Sequence, residues 1–260
     1  MIGGARMIYL TGDTHGEFLR FNTTSFPEQK KMTKEDVVII CGDFGGIWHA
    51  GLEEQYWLDW LNDKSFTLLW VDGNHENYAR LNSDEFPIVD LYSGKAQQIR
   101  PSIYHLLRGE VYVIQGKRFF TFGGARSHDI DDGILDPDDY DDPLEFQSVY
   151  HRWRMERRIF RVKGVSWWPE ELPNDVEMEK GRKALESINY EVDNVVTHCL
   201  PHDVASVLSR CTFYPDRLTM YFNSLLRQLR FDRWYCGHYH CDQTVMGKFH
   251  VLYRDIHRIL

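Results

Sequence analysis

Five short apolar runs in this chain end abruptly in a polar, chemically versatile residue, and four of these runs pass through a glycine first. The residues reached in this way are Asp13, Asp43, Asn74, His198 and His238. Runs of β-branched and apolar residues favour buried strands, and glycine allows the backbone angles that tight loops require. The pattern therefore predicts buried strands that lead directly into loops carrying polar side chains.

The segments between these runs have helical spacing or further strand-like patterns. Helices are predicted at residues 52–63, 143–162, 176–187 and 216–229. Further strands are predicted at residues 103–107, 111–114, 118–122 and 249–253. Strands that alternate with helices, followed by a denser group of strands, indicate a layered α/β architecture. We predict a single domain over residues 1–260, with a cap or insert around residues 126–174.

Composition narrows the class of protein. The net charge of −9 disfavours a protein that coats long nucleic acids, because such proteins usually carry a basic excess. The cysteines are odd in number and form no CxxC pair, which predicts reduced thiols in the cytoplasm. They are Cys41, Cys199, Cys211, Cys236 and Cys241. The sequence shows neither a signal peptide nor an apolar membrane span, so we expect no membrane association. We assign no function to the first six residues.

The predicted loops together carry the donor atoms of a metal site. In α/β folds, functional side chains gather beyond the carboxyl ends of the strands. The donors are carboxylate, imidazole and amide groups, which suit Mn, Fe, Zn, Co or Ni better than Ca or Mg. They belong to Asp13, His15, Asp43, Asn74, His75, His198, His238 and His240. A single one of these motifs is weak, since a lone histidine is more often structural, but their joint occurrence in order predicts a metal centre.

The order DxH…GD…GNH[DE]…H…GHxH, which spans positions 13 to 240, resembles the calcineurin-like metallophosphoesterase superfamily. The resemblance implies an α/β fold in which two mixed β-sheets pack as a sandwich flanked by helices. It also implies two divalent transition-metal ions, with manganese, iron, zinc, nickel and cobalt as the candidates. By motif match, Asp13, His15 and His240 hold the first ion, Asn74, His198 and His238 hold the second, and Asp43 bridges them.

His75 matches the residue that faces the leaving group in this superfamily, so we expect it to donate a proton or a hydrogen bond. The alternative is a role as a brace behind the metal ligands. Two ions a few ångströms apart can clamp a phosphate oxygen and lower the pKa of a bound water, which is the chemistry of phosphoester hydrolysis. The resemblance therefore predicts a metal-dependent phosphoric ester hydrolase.

The second motif departs from the Ser/Thr protein phosphatase branch, which carries GDxxDRG at this place. Residues 42–48 read GDFGGIW, so they lack both the Asp that steadies the catalytic histidine and the Arg that grips phosphate. We therefore favour phosphodiesters, such as nucleotides, as substrates. The enzymatic alternatives are a phosphomonoesterase or protein phosphatase and a nuclease acting on nucleic-acid ends. The alternative without catalysis is a metal-bound interaction module.

Several residues near the motifs are candidates for substrate contacts. Arg80 and Arg126 would grip phosphate through a bidentate fork, although an ordinary surface or salt-bridged arginine is the favoured interpretation of each. Trp48 either lines the substrate pocket or belongs to the core. The pair Trp167 and Trp168 would stack on a base or sugar, with packing against a sheet as the preferred alternative.

Residues 128–142 hold eight aspartates, but their spacing does not match a calcium-binding loop. We predict a solvated loop, with a flap over the site entrance as the alternative. The predicted helix 143–162 would place one basic stripe opposite an apolar face that docks to the core. The stripe consists of Arg154, Arg157, Arg158 and Arg161, and the apolar face of Met155, Ile159 and Val162. We expect the stripe to pair with the acidic loop rather than with a polyanion.

Overall fold

The computed structural model describes residues 6–208 and 214–259. Cys211 lies outside the described residues. The strands are, in chain order, β1 (Ile8–Thr11), β2 (Val37–Ile40), β3 (Thr67–Trp70), β4 (Ile88–Leu91), β5 (Gly94–Arg100), β6 (Ile103–Leu106), β7 (Glu110–Ile114), β8 (Lys117–Phe122), β9 (Gly133–Leu135), β10 (Phe160–Val162), β11 (Asn194–Thr197), β12 (Arg233–Cys236), β13 (Gln243–Val245), β14 (Phe249–Val251) and β15 (His257–Arg258). The α-helices are α1 (Leu52–Asn62), α2 (Tyr78–Leu81), α3 (Pro143–Met155), α4 (Asp175–Glu186), α5 (His202–Leu208) and α6 (Arg217–Leu226).

Two mixed sheets contain most of these strands. The first has the order β15-β1-β2-β3-β6-β5-β4, and its four central strands β1, β2, β3 and β6 are parallel. The second has the order β13-β14-β12-β11-β8-β7, and its strands β14, β12, β11 and β8 are parallel. A parallel centre buried on both faces explains why these strands read as continuous apolar runs in the sequence.

The two sheets pack face to face. Ile8 and Leu10 of β1 lie in one apolar cluster with Phe119 of β8 and Val196 of β11, while Tyr9 points to the opposite face of the first sheet. Alternate residues of a strand point to opposite faces, so one side of the first sheet meets the second sheet and the other meets helices. The predicted sandwich of two mixed sheets is therefore confirmed.

Helices cover the outer faces of the sandwich. Leu58 and Leu61 of α1 pack on the first sheet. Leu185 of α4 and Phe222 of α6 pack on the second sheet, in a cluster that also contains Trp234 of β12. Most predicted elements appear with bounds shifted by a few residues. No helix in the described ranges is long and apolar enough to cross a membrane.

The prediction of one helix over residues 143–162 is wrong. Helix α3 ends at Met155, and Arg157 has a φ of +57°, a left-handed conformation that interrupts the helix. The chain then enters β10, which pairs in parallel with β9. Only Arg154 of the predicted basic stripe is therefore helical. Of the predicted docking face, Met155 is 85% exposed and Ile159 is 49% exposed, whereas Val162, which lies in β10 rather than in the helix, is buried.

The acidic segment 128–142 is more ordered than the predicted solvated loop. It contains β9, a short 3₁₀ turn at Pro137–Asp139 and the N-cap of α3, where the Asp142 carboxylate accepts from Leu144 N–H at 2.8 Å. Some of its charge is paired, since Lys163 donates to Asp136 at 2.5 Å and Asp129 binds Arg161. The expected pairing of arginines with this loop is thus realised at Arg161.

Candidate metal centre

The loops after β1 and β12 bring three donor atoms together at the solvent-facing side of the site. His15 Nε2 and His240 Nε2 lie 3.1 Å apart, and Asp13 Oδ2 lies 3.2 Å from His240 Nε2 and 3.8 Å from His15 Nε2. Both imidazoles are exposed, whereas Asp13 is fully buried. Two ring nitrogens and a carboxylate oxygen facing one another at these distances suit a shared cation.

A second group of donors lies deeper, after β3, β11 and β12. Asn74 Oδ1 lies 3.2 Å from His198 Nε2 and 3.1 Å from His238 Nδ1. Asn74 and His198 are buried. An amide oxygen has no proton to give. When both imidazoles are in their neutral, metal-binding form, their two nitrogens and this oxygen form a second cradle for a cation.

Asp43, after β2, lies between the two groups. Its Oδ2 is 3.8 Å from His15 Nε2 in the outer group and 3.4 Å from His198 Nε2 in the inner one. The structure thus brings together all seven side chains predicted as metal ligands, from five loops at the carboxyl ends of strands in both sheets. The donor set, its charge and its arrangement fit divalent transition-metal ions.

The local electrostatics favour positive charge at this point. Although burial lowers it, the carboxylates of Asp43 and Asp13 raise the pKa of His198 to about 10. His198 Nδ1 donates to the Cys41 carbonyl at 2.7 Å, which leaves Nε2 as the nitrogen that faces the inner group. The acidic pair therefore attracts either a proton or a metal ion to the same place.

The loop backbones that present the ligands are strained. His15, Asp43, His238 and His240 have φ angles of +46°, +49°, +70° and +48°, in the left-handed region that non-glycine residues seldom adopt. Strain of this kind is typical of functional sites, where the surrounding structure enforces it. Here it directs side chains from separate loops toward one point.

The motif glycines are needed because ligands from other loops pack against them. A methyl group on these residues would overlap a side chain from a different motif, Gly42 with His198, Gly73 with Asp43 and Gly237 with Asp13. Three of the glycine-polar pairs thus have two roles. The polar residue supplies a donor, and the glycine makes room for a donor from another motif.

The imidazole ring of His75 lies beside the metal centre. Its backbone N–H donates to Asp43 Oδ1 at 2.7 Å, and its ring centroid is 5.5 Å from that of His15. In the described part of the chain, no group hydrogen-bonds to the imidazole nitrogens. Burial lowers the pKa of His75 below its ordinary value, although Asp43 opposes this. The ring is therefore available for hydrogen bonds to a ligand.

The three predicted substrate residues occupy different settings. Arg80 donates to Glu54 at 2.7 Å and also binds Glu85, so two carboxylates engage its guanidinium. Arg126 is exposed and lines a cavity of about 480 Å³ together with the metal-centre residue His238. Trp48 is half-buried and packs edge-on against Trp168, with ring centroids 5.7 Å apart.

Two buried residues, Ser127 and Glu171, hold the Asn74 side chain and were not predicted from the sequence. The Asn74 Nδ2 amide donates to Ser127 Oγ at 3.3 Å. Ser127 in turn donates to Glu171 from its backbone N–H at 2.9 Å and from its hydroxyl at 2.6 Å. Burial raises the pKa of Glu171 to about 7. These contacts fix the side-chain amide so that its oxygen faces His198 and His238, and no spacing in the sequence signals them.

Arg20 and Glu76 were also missed. Arg20 donates to the backbone carbonyls of Asp13 at 2.7 Å and Tyr253 at 2.5 Å, which clamps the first ligand loop. Glu76 is the last letter of the GNHE motif, and its carboxylate accepts from Phe44 N–H at 2.8 Å. Burial and the nearby Asp43 charge raise the pKa of Glu76 well above its usual value. Its position in the GNHE motif was the one sequence feature that could have indicated Glu76.

Comparison with known proteins gives the same family as the motifs. A profile of the calcineurin-like phosphoesterase family matches residues 7–242. The lariat debranching enzyme of Danio rerio is 26% identical over 187 residues, which cover 66% of this chain and 30% of that protein. Lariat debranching enzyme A of Xenopus laevis is 27% identical over 174 residues, 60% of this chain and 30% of that protein. The chain thus matches less than a third of these relatives' length.

The family match covers the β1, β2, β3, β11 and β12 loops that carry the donors. It confirms the predicted family and the predicted enzyme class. The chain belongs to the calcineurin-like phosphoesterase family, a family of metal-dependent phosphoester hydrolases.

Proposed function

We propose that the chain is a phosphodiesterase that uses two divalent transition-metal ions to hydrolyse nucleotide diesters. The observation that carries this proposal is the pair of donor groups on either side of the Asp43 carboxylate. The similarity to two lariat debranching enzymes, themselves phosphodiesterases, supports a diester substrate. The free thiols of Cys41, Cys199, Cys236 and Cys241 support a cytoplasmic location.

Each donor has a role in this proposal. Asp13, His15 and His240 would hold the first ion, Asn74, His198 and His238 would hold the second, and Asp43 would lie between them. Bound there, manganese, iron, zinc, nickel or cobalt would withdraw charge from a phosphate oxygen and lower the pKa of a water molecule. The chain supplies two carboxylates and five neutral groups, so the occupied centre keeps a net positive charge that attracts phosphate.

Side chains of the protein orient the diester. His15 and His240 are exposed while Asn74 and His198 are buried, so the phosphate approaches from the outer side. Arg126 is the better placed candidate for a phosphate contact, since it shares a cavity with His238. Arg80 would first have to leave Glu54 and Glu85. We propose that Trp48, paired with Trp168, and the segment 126–174 form the rim of the substrate site.

Diesters are expected to be better substrates than monoesters. A monoester dianion carries more charge than a diester and needs more positive support beyond the metals. With Arg80 engaged by two carboxylates, Arg126 is the remaining predicted arginine. We expect kcat/KM for bis(p-nitrophenyl) phosphate to exceed that for p-nitrophenyl phosphate by about tenfold, or about 1.4 kcal/mol.

The measurement uses apo-protein reconstituted separately with Mn²⁺, Zn²⁺ and Ni²⁺, and both esters release the same nitrophenolate. A preference for the monoester with all three metals would overturn the diesterase proposal and favour a phosphomonoesterase. An absence of turnover for either ester, with the metals bound, would favour the metal-bound interaction module.

His75 is proposed to assist the leaving group, because its ring is unbonded and lies beside the outer donors. His75→Ala should slow the hydrolysis of an alkyl ester by about 100-fold, while an ester with a nitrophenolate leaving group, which needs no proton, slows only a few-fold. Metal content should remain that of the wild type. Steady-state kinetics on the two esters and elemental analysis check this prediction.

His49→Ala is the matched control, because His49 is an exposed histidine in the loop that follows Asp43. It should leave the ratio of the two rates unchanged. Equal slowing of both esters by His75→Ala would show instead that His75 braces the centre.

A further inference from the structure

A cavity of about 890 Å³ lies within the segment 126–174, apart from the metal centre. We call it the arginine–aromatic cavity, after Phe146, Tyr150, Phe160, Arg154, Arg158 and Arg161, which line it. Helix α3 forms one wall, and β10 with its preceding turn forms another. The volume lies in the range of cavities that bind small organic ligands.

Helix α3 is not packed into the body of the protein. None of its 13 residues is buried, and Leu144 at its start is 68% exposed. Most surface helices bury an apolar stripe against a core. The aromatic side of α3 instead faces the arginine–aromatic cavity, so its rings remain accessible to a ligand.

The rings form a platform for a flat ligand. Phe146 and Tyr150, one helical turn apart, have nearly parallel rings with an interplanar angle of 21° and centroids 6.4 Å apart. Phe160 of β10 meets Tyr150 edge-on at 5.8 Å. Aromatic side chains arranged in this way bind nucleobases by stacking, and they tolerate any base because each has a π-face.

The cavity also carries positive charge in an acidic protein. Its lining includes three arginines and one carboxylate, that of Asp129, which binds Arg161. Within the described residues, Arg154 has no carboxylate partner, and its guanidinium lies 5.9 Å from the Tyr150 ring centroid. Arg158 pairs with Glu156 at the surface. Arginine beside a half-buried aromatic platform is complementary to a phosphate that is linked to a base.

The neighbouring aspartates do not cancel this charge inside the cavity. Lys163 binds both Asp136 and Asp138, and Asp132 accepts from Ile159 N–H at 2.6 Å. Their carboxylates are therefore engaged by donors outside the platform. Because the net charge of −9 repels anions elsewhere on the chain, binding of a phosphate depends on this local group of arginines.

One contact between neighbouring side chains links the cavity to the metal centre. Asp129 lines the cavity. His128, the residue before Asp129, packs edge-on against the ligand His238 with ring centroids 5.4 Å apart. A chain of nucleotides with its scissile phosphate at the metal centre would reach the cavity along this side.

We infer that the arginine–aromatic cavity binds the base and adjoining phosphate of a nucleotide that flanks the scissile diester, so that the substrate is a short single-stranded oligonucleotide. This inference rests on the proposed phosphodiesterase function and names its substrate class. Stacking on Phe146 and Tyr150 holds the base, and Arg154 contacts the phosphate. A compact diester without a base would leave the cavity empty.

Two variants and a matched control test the inference. Tyr150→Leu removes the stacking ring, and Arg154→Ala removes the unpaired cation. Arg152→Ala is the control, because it removes the same charge from an exposed position of the same helix that does not line the cavity. The first readout is the ratio of kcat/KM for a single-stranded tetranucleotide to kcat/KM for bis(p-nitrophenyl) phosphate, which has no base.

We expect each cavity variant to lower this ratio about tenfold, and Arg152→Ala to change it less than about twofold. The second readout is fluorescence anisotropy of a labelled phosphorothioate tetranucleotide on the metal-loaded protein. Its dissociation constant should rise about tenfold in both cavity variants. A phosphorothioate strand of the same length made of abasic sugars should bind the wild type about tenfold more weakly than the labelled strand.

Unchanged ratios and unchanged binding in both cavity variants would overturn the inference. So would equal loss of turnover on both substrates, which would show a purely structural role of α3, and so would equal binding of the abasic strand. If the wild-type enzyme hydrolyses no diester, the proposed function fails, while the anisotropy measurement still decides whether the cavity binds an oligonucleotide.

Discussion

Asp43→Asn is expected to lose bound metal and to lower phosphodiester turnover by at least about 100-fold. Loss of a residue that only supports a metal ligand lowers activity by up to about 100-fold, and Asp43 is proposed as a ligand itself. Burial raises the pKa of Asp43, but the histidines His198, His75 and His15 hold it well below its usual range, so the side chain is an anion. Asparagine keeps the shape, and its oxygen can still accept from His75 N–H. The substitution therefore removes the bridging charge and replaces Oδ2, the oxygen that faces both donor groups, with an NH2 group that does not bind metal. Elemental analysis and kinetics measure both effects.

Asp36→Asn is the matched control. Asp36 is also buried, at 5% exposure, and its carboxylate accepts from Met7 N–H and Thr33 N–H at 2.7 Å each. It precedes β2, whereas Asp43 follows the same strand, so it lies at the end of the sheet away from the donors. Asp36→Asn should lower stability and retain metal. Wild-type metal content in Asp43→Asn would remove Asp43 from the bridging position.

Gly42→Ala is expected to disrupt the centre without touching a donor atom. The added methyl group would overlap the His198 imidazole, and the glycine has a φ of +100°. The side chain of His198 would have to leave the Cys41 carbonyl and the inner donor group. We expect a loss of about 3 kcal/mol or more in the free energy of unfolding, together with loss of bound metal. Urea unfolding and elemental analysis measure the two quantities.

Gly116→Ala separates steric overlap from backbone strain. Gly116 has a φ of +79°, and a methyl group there would meet nothing within 4 Å. The free energy of unfolding of this variant should fall by about 1 kcal/mol, which is the cost of the left-handed backbone alone. The variant should bind metal normally. Equal destabilisation and equal metal content in both variants would contradict the account of the motif glycines.

The sequence was informative where one short motif contains both the conformational and the chemical signal. A buried parallel strand reads as an apolar run, and the glycine after it marks the loop, so the positions of Asp13, Asp43 and Asn74 follow from local pattern. The order of the motifs then implied the sandwich. That the donors of these seven residues face one another depends on both sheets, which no local pattern describes.

The contacts around the donors could not be predicted for the same reason. Ser127 and Glu171 are 44 residues apart, and Ser127 reaches Asn74 across a further 53 positions. The end of α3 was missed because residues 143–162 keep a helical pattern through Arg157, whose left-handed backbone is set by the strand pairing of β10 with β9. Tertiary pairing overrode local helix preference there.

The central claim is that two ions flank the Asp43 carboxylate. Crystals grown with Mn²⁺ and measured for anomalous scattering test it most directly. The account predicts two peaks, one beside Asp13, His15 and His240 and the other beside Asn74, His198 and His238, with Asp43 between them. A single peak, or peaks that do not contact Asp43, would contradict it.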